Sequence, residues 1–151
     1  MPYTWTDPAV TLQFFSEREF KHASLMDPDF LKDLDTLRMR CGFPLTITND
    51  ARSQKDLERI YAVEIAKGQD YPKDSAHLYI SPTLVRAVDL KPAIAPDLES
   101  RQLELTYQIL RMRNEGTWPN LGLGIETAHW HIDDTPRLGG KRPAFWVAVS
   151  K

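Results

Sequence analysis

The chain has 151 residues, a formal net charge of −2, and 42% hydrophobic against 26% charged residues. This length suits one soluble domain with a buried core, so we expect a single domain over residues 1–151. The charge offers no basic surface for nucleic acid, no apolar run is long enough to cross a bilayer, and the single cysteine cannot form an internal disulfide. We therefore expect no nucleic-acid partner and no membrane insertion.

The first half of the chain predicts two helices on either side of a short strand. Asp27 suits the N-cap of the first helix, apolar residues recur along it at spacings of three and four, and Gly42 suits its end. Residues 44–49 are rich in β-branched side chains and alternate, which predicts a strand. A capping-box pattern starts the second helix at Ser53 and Gly68 ends it. Its expected buried face consists of Leu57, Ile60, Tyr61 and Ile65.

The second half predicts a loop over residues 69–84, a strand over 85–90 and a long helix over 97–114. The long helix is apolar over a broad face, so we expect it to pack against a sheet. That face comprises Leu98, Leu103, Leu105, Tyr107, Ile109, Leu110 and Met112. Three further strands are predicted, over residues 121–126, 128–133 and 144–150. Short connections favour antiparallel pairing, so the fold class is α+β, with an antiparallel sheet packed against helices.

The predicted strand 128–133 has an unusual polar face. Residues two apart in a strand share a face, so His129, His131 and Asp133 point one way, and Trp130 and Ile132 point toward a core. A solvated strand face more often carries Lys, Glu, Thr or Ser. The pattern therefore indicates a metal or proton site, with a surface His-x-His that has no partner as the alternative.

A possible partner for this face comes earlier in the chain. Asp89 lies within an otherwise apolar strand, where an unpaired charge is expensive. Arg86 could neutralise it in a salt bridge, and a metal ion is the other solution. With His77 and His131, Asp89 makes a plausible three-ligand zinc set that leaves a fourth position for water.

Two further residues could complete a catalytic site. Strict alternation would place Glu126 opposite His129, but a turn or bulge at 127–128 would bring it into the same pocket as a general base. The alternative is a surface glutamate at a strand end. Arg52 follows the strand 44–49 and could clamp a substrate carboxylate, although it is equally consistent with a surface arginine. His22 is isolated and is interpreted as structural.

The order of these motifs resembles the zinc D-alanyl-D-alanine carboxypeptidase and L-alanyl-D-glutamate peptidase family, especially its short phage and prophage members. The resemblance covers about residues 12–149. It is carried by Pro-Leu-Thr-Ile-Thr-Asn-Asp-Ala-Arg-Ser at 44–53, Ser-Ala-His at 75–77, Ala-Val-Asp at 87–89 and Trp-His-Ile-Asp at 130–133. Because that family shares its fold with the hedgehog signalling domain, the resemblance implies a hedgehog/DD-peptidase-like fold.

The resemblance also implies roles for individual residues. It implies a Zn²⁺ cofactor held by His77, Asp89 and His131. It places two residues near the substrate: Arg52, which would bind a peptide carboxylate, and Ser75, which would line the site.

For the catalytic base, the resemblance favours Glu126, with Asp133 and His129 as rivals. We assign His129 to a supporting role, in which it hydrogen-bonds the attacking water or the oxyanion.

The implied activity is hydrolysis of an amide bond in a peptidoglycan stem peptide, by an exo or an endo cut. No export signal is visible. We therefore expect synthesis in the cytoplasm and action on the cell wall after release, as a phage lysin or as a virion component. A cytosolic recycling enzyme would fit as well. The alternative is a non-catalytic zinc-binding module of the same fold, either a phage structural protein or a partner-binding domain.

Overall fold

Four α-helices and five strands are described in the computed structural model of this chain, which covers residues 2–71, 73, 75–127 and 129–148. The other positions, which include 72 and 74 of the predicted loop and 128, 149 and 150 of the predicted strands, lie outside the described residues. The helices are α1 (Pro28–Cys41), α2 (Gln54–Ile60), α3 (Ala62–Ala66) and α4 (Leu98–Asn114). The strands are β1 (Leu45–Asn49), β2 (Ala87–Pro92), β3 (Gly122–Ile125), β4 (Trp130–Asp133) and β5 (Ala144–Val147).

Helix α1 confirms its predicted start and end. The Asp27 side chain accepts hydrogen bonds from the backbone N–H groups of Asp29 and Phe30, and Gly42 closes the helix with φ of 75°, a conformation that glycine adopts without strain. The buried face of α1 consists of Phe30, Leu31, Leu34, Leu37 and Cys41. Local spacing and capping were sufficient to define this element.

The second predicted helix begins and ends where expected, but it is divided into two short helices and its predicted buried face is wrong. The capping box at Ser53 is present, but the helix breaks at Tyr61, whose φ of −103° and ψ of 24° leave helical geometry and whose ring stacks on Tyr71. Of the predicted buried face, only Leu57 is buried, whereas Ile60 and Ile65 are exposed. The physical reason is that α2 and α3 are short surface helices, each too short to bury a continuous stripe.

The five strands form one sheet in the order β1-β2-β4-β3-β5. The pairs β1–β2, β2–β4 and β4–β3 are antiparallel, as predicted, but β5 pairs with β3 in parallel. Both edges of β4 are already occupied, by β2 and β3, so β5 cannot pair with β4 and joins the sheet at the free edge of β3. The 3₁₀ segment Pro136–Lys141 returns the chain from the end of β4 to the start of the antiparallel β3, and Ala144 therefore pairs with Gly122.

Helix α4 packs on one face of the sheet and on α1. Its bounds agree with the prediction within one residue, but its buried face is narrower than predicted. Leu105, Ile109 and Met112 are buried, whereas Leu103 and Tyr107 are more than half exposed. A helix that packs on a single layer buries only one stripe of its surface.

The two faces of the sheet therefore differ in polarity. Its apolar face lies under α4, where the Trp130 indole N–H donates to the Thr106 hydroxyl at 2.9 Å. Val88 and Leu90 of β2 and Ile132 of β4 are completely buried. The alternating residues of β2 and β4 point to the opposite face, which carries the predicted polar site.

Among the described residues, no helix has the length and apolarity needed to cross a membrane.

Candidate metal centre

Two of the three predicted ligands face each other across adjacent strands. Asp89 of β2 is the register partner of His131 of β4. The His131 Nδ1 atom lies 2.9 Å from the Asp89 Oδ1 atom, and both side chains are buried. Register partners on adjacent strands share a face, so the sheet brings together two residues that were expected to converge as ligands.

The third predicted ligand, His77, comes from the loop that precedes β2. This loop is attached by backbone hydrogen bonds on both sides of Arg52, whose N–H donates to the His77 carbonyl and whose carbonyl accepts from the Tyr79 N–H, both at 2.7 Å. The His77 Nε2 atom reaches to 3.2 Å from Asp89 Oδ1. One ligand atom each of His77, Asp89 and His131 lies within 4.8 Å of the others. This buried group could hold a metal ion.

A second hydrogen bond orients each imidazole. His77 Nδ1 lies 2.8 Å from the carbonyl oxygen of Asp50, which can only accept, so Nδ1 carries the hydrogen. His131 Nε2 lies 2.5 Å from Asp133 Oδ2, and the carboxylate again accepts. In neutral rings, His77 Nε2 and His131 Nδ1 therefore direct their lone pairs at Asp89. Metal-binding histidines commonly have a second hydrogen bond of this kind.

The convergence of two lone pairs on a carboxylate requires a positive charge between them. Burial alone would raise the pKa of Asp89, but hydrogen bonds with His131 and His77 hold it well below its usual range. Burial alone would lower the pKa of His131, but hydrogen bonds that the ring donates to the carboxylates of Asp133 and Asp89 raise it to about 9. A proton on His131 or a metal ion supplies the missing charge, and a metal ion would displace that proton.

The salt-bridge alternative for Asp89 is not what the structure contains. Arg86 forms a two-point pair with Asp134, at 2.7 and 2.8 Å, and a further bond of 3.0 Å to Asp27. Arg86 is thus engaged by other carboxylates. Asp89 instead contacts His77 and His131, and the Asn49 side-chain amide donates to Asp89 Oδ2 at 3.0 Å.

Glu126 and His129 lie together at the rim of the centre. The Glu126 carboxylate contacts His129 Nε2 at short range, and the same nitrogen lies 3.5 Å from Asp89 Oδ2. The backbone N–H of Glu126 donates to the His129 carbonyl at 2.9 Å, so the chain reverses between them as the predicted turn required, although Ala128 lies outside the described residues. Glu126 is 34% exposed at its side chain and His129 is 23% exposed, which leaves both open to a substrate.

Asp133, a rival candidate for the base, is held in a different position. It is completely buried, and Arg142 binds both of its oxygens, at 2.8 and 2.7 Å. Burial acts to raise the pKa of Asp133, but hydrogen bonds from His131 and Arg142 outweigh it and lower the pKa. Because Asp133 is buried and bound by both Arg142 and His131, it is positioned to orient His131, and the candidates for the base at the open rim are Glu126 and His129.

The two predicted substrate residues lie beside His77. Arg52 is half-buried, and within the described part of the chain its guanidinium makes no hydrogen bond or ion pair, so it remains available. The Ser75 hydroxyl accepts from the His77 backbone N–H at 3.3 Å, and the Ser75 carbonyl accepts from the Arg137 side chain at short range. Ser75 therefore shapes the His77 loop, and its role toward a substrate stays a prediction.

Sequence reasoning missed the residues that orient the ligands. Asn49 is the last residue of β1 and Asp50 follows it, and a register shift between Ile47 and Asn49 places Asn49 opposite Asp89. Asp50 is fixed in turn by His22, whose backbone N–H donates to Asp50 Oδ2 at 2.6 Å. The polar pair at the end of a strand was visible in the sequence. That this strand lies beside β2 was not.

Comparison with protein-family models, with curated proteins and with solved structures finds no match to this chain. What the centre can do therefore follows from its own residues, which form a buried two-histidine, one-carboxylate group with oriented ligand atoms.

Proposed function

We propose that this chain is a zinc-dependent hydrolase that cleaves a peptide amide bond in bacterial peptidoglycan. The observation that carries the proposal is the convergence of His77 Nε2, His131 Nδ1 and Asp89 Oδ1. Each imidazole is held by a separate acceptor, so the ligand nitrogens are oriented before a metal ion arrives.

The donor set fits zinc. Two imidazole nitrogens and one carboxylate oxygen are the ligand types of a catalytic zinc site, which keeps a fourth position open. The ligand atoms of a tetrahedral ion with bonds of about 2.0–2.1 Å stand about 3.3 Å apart. The separations of 3.2 Å for His77 and 2.9 Å for His131 from Asp89 Oδ1 are close to this value, so a small outward movement would admit the ion.

When bound, zinc supplies Lewis acidity, which activates water and polarises a carbonyl group. Glu126 takes the proton from the attacking water and delivers it to the leaving amine, because it is the carboxylate at the open rim of the centre. His129 holds Glu126 in place through their contact and can donate a hydrogen bond to the developing oxyanion. Arg52, which lies beside the His77 loop, binds a substrate carboxylate.

The substrate class rests on the resemblance of the sequence motifs to peptidases of the cell wall. A carboxypeptidase that removes a terminal D-alanine would use Arg52 to bind the free carboxylate, and an endopeptidase would accept an internal bond in the stem peptide. The cellular setting proposed here is that of a phage lysin or a virion component. The competing proposal is a non-catalytic zinc module. It is favoured by the link from His77 to Asp89, which spans twelve positions and is longer than in the family that the motifs resemble.

The test combines zinc analysis with a peptidoglycan digest analysed by mass spectrometry. The wild-type chain should hold about one zinc ion and release fragments from one defined amide cut. Glu126→Gln should hold zinc and lose activity, whereas Glu99→Gln, at an exposed position on α4, should behave as wild type. Zinc binding with intact muropeptides would favour the non-catalytic module, and a wild-type chain that binds no divalent metal ion would refute both.

A further inference from the structure

Strand β3 carries two glycines on the face of the sheet that holds the metal centre, and each leaves room for a side chain from the β5 side. A Cβ atom on Gly124 would lie 2.4 Å from the Trp146 ring. A Cβ atom on Gly122 would lie 2.3 Å from Arg142 Nε and 2.8 Å from Asp133 Oδ2. Any larger residue at either position would displace these groups. Because these glycines have no side chains, side chains from the β5 side can cross β3 and approach β4. We call this space over Gly122 and Gly124 the passage.

Arg142 uses one half of this passage to reach β4. Its guanidinium crosses Gly122 and makes a two-point pair with Asp133, at 2.8 and 2.7 Å. Asp133 in turn lies 2.5 Å from His131 Nε2. Asp133 is completely buried, and Arg142 binds both of its carboxylate oxygens. Arg142 is therefore connected to a metal ligand through one carboxylate.

Trp146 uses the other half of the passage. Its ring lies over Gly124, with its centroid 5.4 Å from that of His131, and the Arg142 guanidinium lies 5.7 Å from the same ring. His131 thus has Trp146 on one side and the His77 ring, 5.1 Å away, on another. Rotation of the imidazole would require Trp146 to move.

We propose that Arg142 and Trp146 are positioning residues for His131, and that the passage over Gly122 and Gly124 exists to admit them. Arg142 acts through Asp133, by binding both of its carboxylate oxygens so that Oδ2 stays directed at the Nε2–H of His131. Trp146 acts by contact, by restricting the ring so that Nδ1 stays directed at Asp89. Neither residue binds the metal ion. This inference rests on the metal centre of the proposed function and extends the centre to β5.

The test measures zinc affinity by competition with a chelator, together with the free energy of unfolding of the metal-free protein. Arg142→Gln should weaken zinc binding about 10- to 100-fold, the usual effect of losing a group that orients a metal ligand. Arg142→Lys, which keeps the charge but not the two-point geometry, should lose less. Trp146→Leu and Gly124→Ala, which remove or displace the ring, should also weaken binding.

Arg86→Gln is the matched control. It breaks a two-point pair of the same geometry, with Asp134, that does not contact a proposed ligand. It should lower the free energy of unfolding and leave zinc affinity unchanged. The visible spectrum of bound Co²⁺, which reports coordination geometry, should change in Arg142→Gln and stay unchanged in Arg86→Gln.

The outcomes separate this inference from the proposed function. If the wild-type chain binds no divalent metal ion, the proposed function fails and the positioning role fails with it. If it binds zinc but the Arg142 and Trp146 variants bind equally well, only the positioning role is overturned. If Arg142→Gln does not fold, Arg142→Lys, Trp146→Leu and Gly124→Ala decide the question by the same measurement. A further result is that the variants bind zinc more weakly while the wild-type chain does not cleave peptidoglycan. That result would support the positioning role and refute the hydrolase.

Discussion

Asp133 Oδ2 lies 2.5 Å from His131 Nε2, two residues away on the same strand face. This contact assigns opposite roles to the two nitrogens of His131, because the nitrogen that donates to Asp133 leaves the other directed at Asp89. Sequence alone left Asp133 as a candidate base. The contact indicates instead that Asp133 orients His131, a proposed metal ligand.

Replacement of Asp133 by Asn should weaken zinc binding about 10- to 100-fold, because the amide removes the charge that holds His131. Glu126→Gln should instead leave zinc affinity unchanged and lower turnover by about 10²- to 10⁴-fold, the contribution of a general base. Zinc titration and turnover measured on both variants check this division. Loss of zinc from Glu126→Gln would show that Glu126 is a ligand and not the base.

Replacement of Asp89 by Asn should reduce zinc affinity by more than about 100-fold, beyond the effect of losing an orienting group. Asp35→Asn is the control. Asp35 accepts backbone N–H bonds from Gln13, Phe14 and Phe15, none of which belongs to the metal centre. It should lower stability and spare the metal. Equal zinc affinity in both variants would exclude Asp89 as a ligand.

Asp33 should make stability depend on pH. Burial raises the pKa of Asp33 to about 6, above the usual 3.8, and the nearby Asp134 adds to the shift despite the opposing charge of Arg86. The folded state therefore binds the proton more tightly than the unfolded state. The Asp33 contribution to stability is complete below pH 3.8 and is lost as pH rises through 6.

Asp33→Asn removes this dependence, so the variant should be more stable than wild type above pH 6. The gain should be up to about 1 kcal/mol, because solvent screens a partly exposed carboxylate. Urea unfolding of both proteins between pH 4 and 7.5 measures the difference, which should grow to pH 6 and then level off. A difference that shrinks with rising pH would contradict the assignment.

Cys41 should resist thiol reagents in the folded protein. It is buried at the end of α1, and burial raises the pKa of its thiol to about 12, so the reactive thiolate is scarce at pH 8. Modification by an aromatic disulfide reagent should occur only at the rate of unfolding and should become fast in denaturant. Rapid labelling of the native protein at pH 8 would show that α1 opens locally.

Much of the centre was predictable because strand alternation is a local rule. The spacing of His131 and Asp133 places them on one face of β4, and Trp130 and Ile132 on the other, whatever the neighbouring strands are. The capping pattern at Asp27 likewise defined the start of α1. Such features depend only on residues a few positions apart.

Local rules failed where packing decided the outcome. The exposed side of α4 carries Leu103 and Tyr107, which periodicity alone could not distinguish from its buried side. The second predicted helix is interrupted at Tyr61, whose ring stacks on Tyr71 from the following loop. Amphipathic pattern identifies a helix, but the layers that cover it determine how much of its apolar surface is buried.

The sequence by itself determined which residues could bind a metal ion and which face of their strand they share, since backbone geometry repeats every two residues. Only the tertiary structure decided which strands are neighbours, and hence that Asn49 meets Asp89, that the Asp50 carbonyl orients His77, and that Arg142 crosses a glycine to reach Asp133. Those contacts join residues distant in the chain, and they follow from strand order and register, which are properties of the whole sheet.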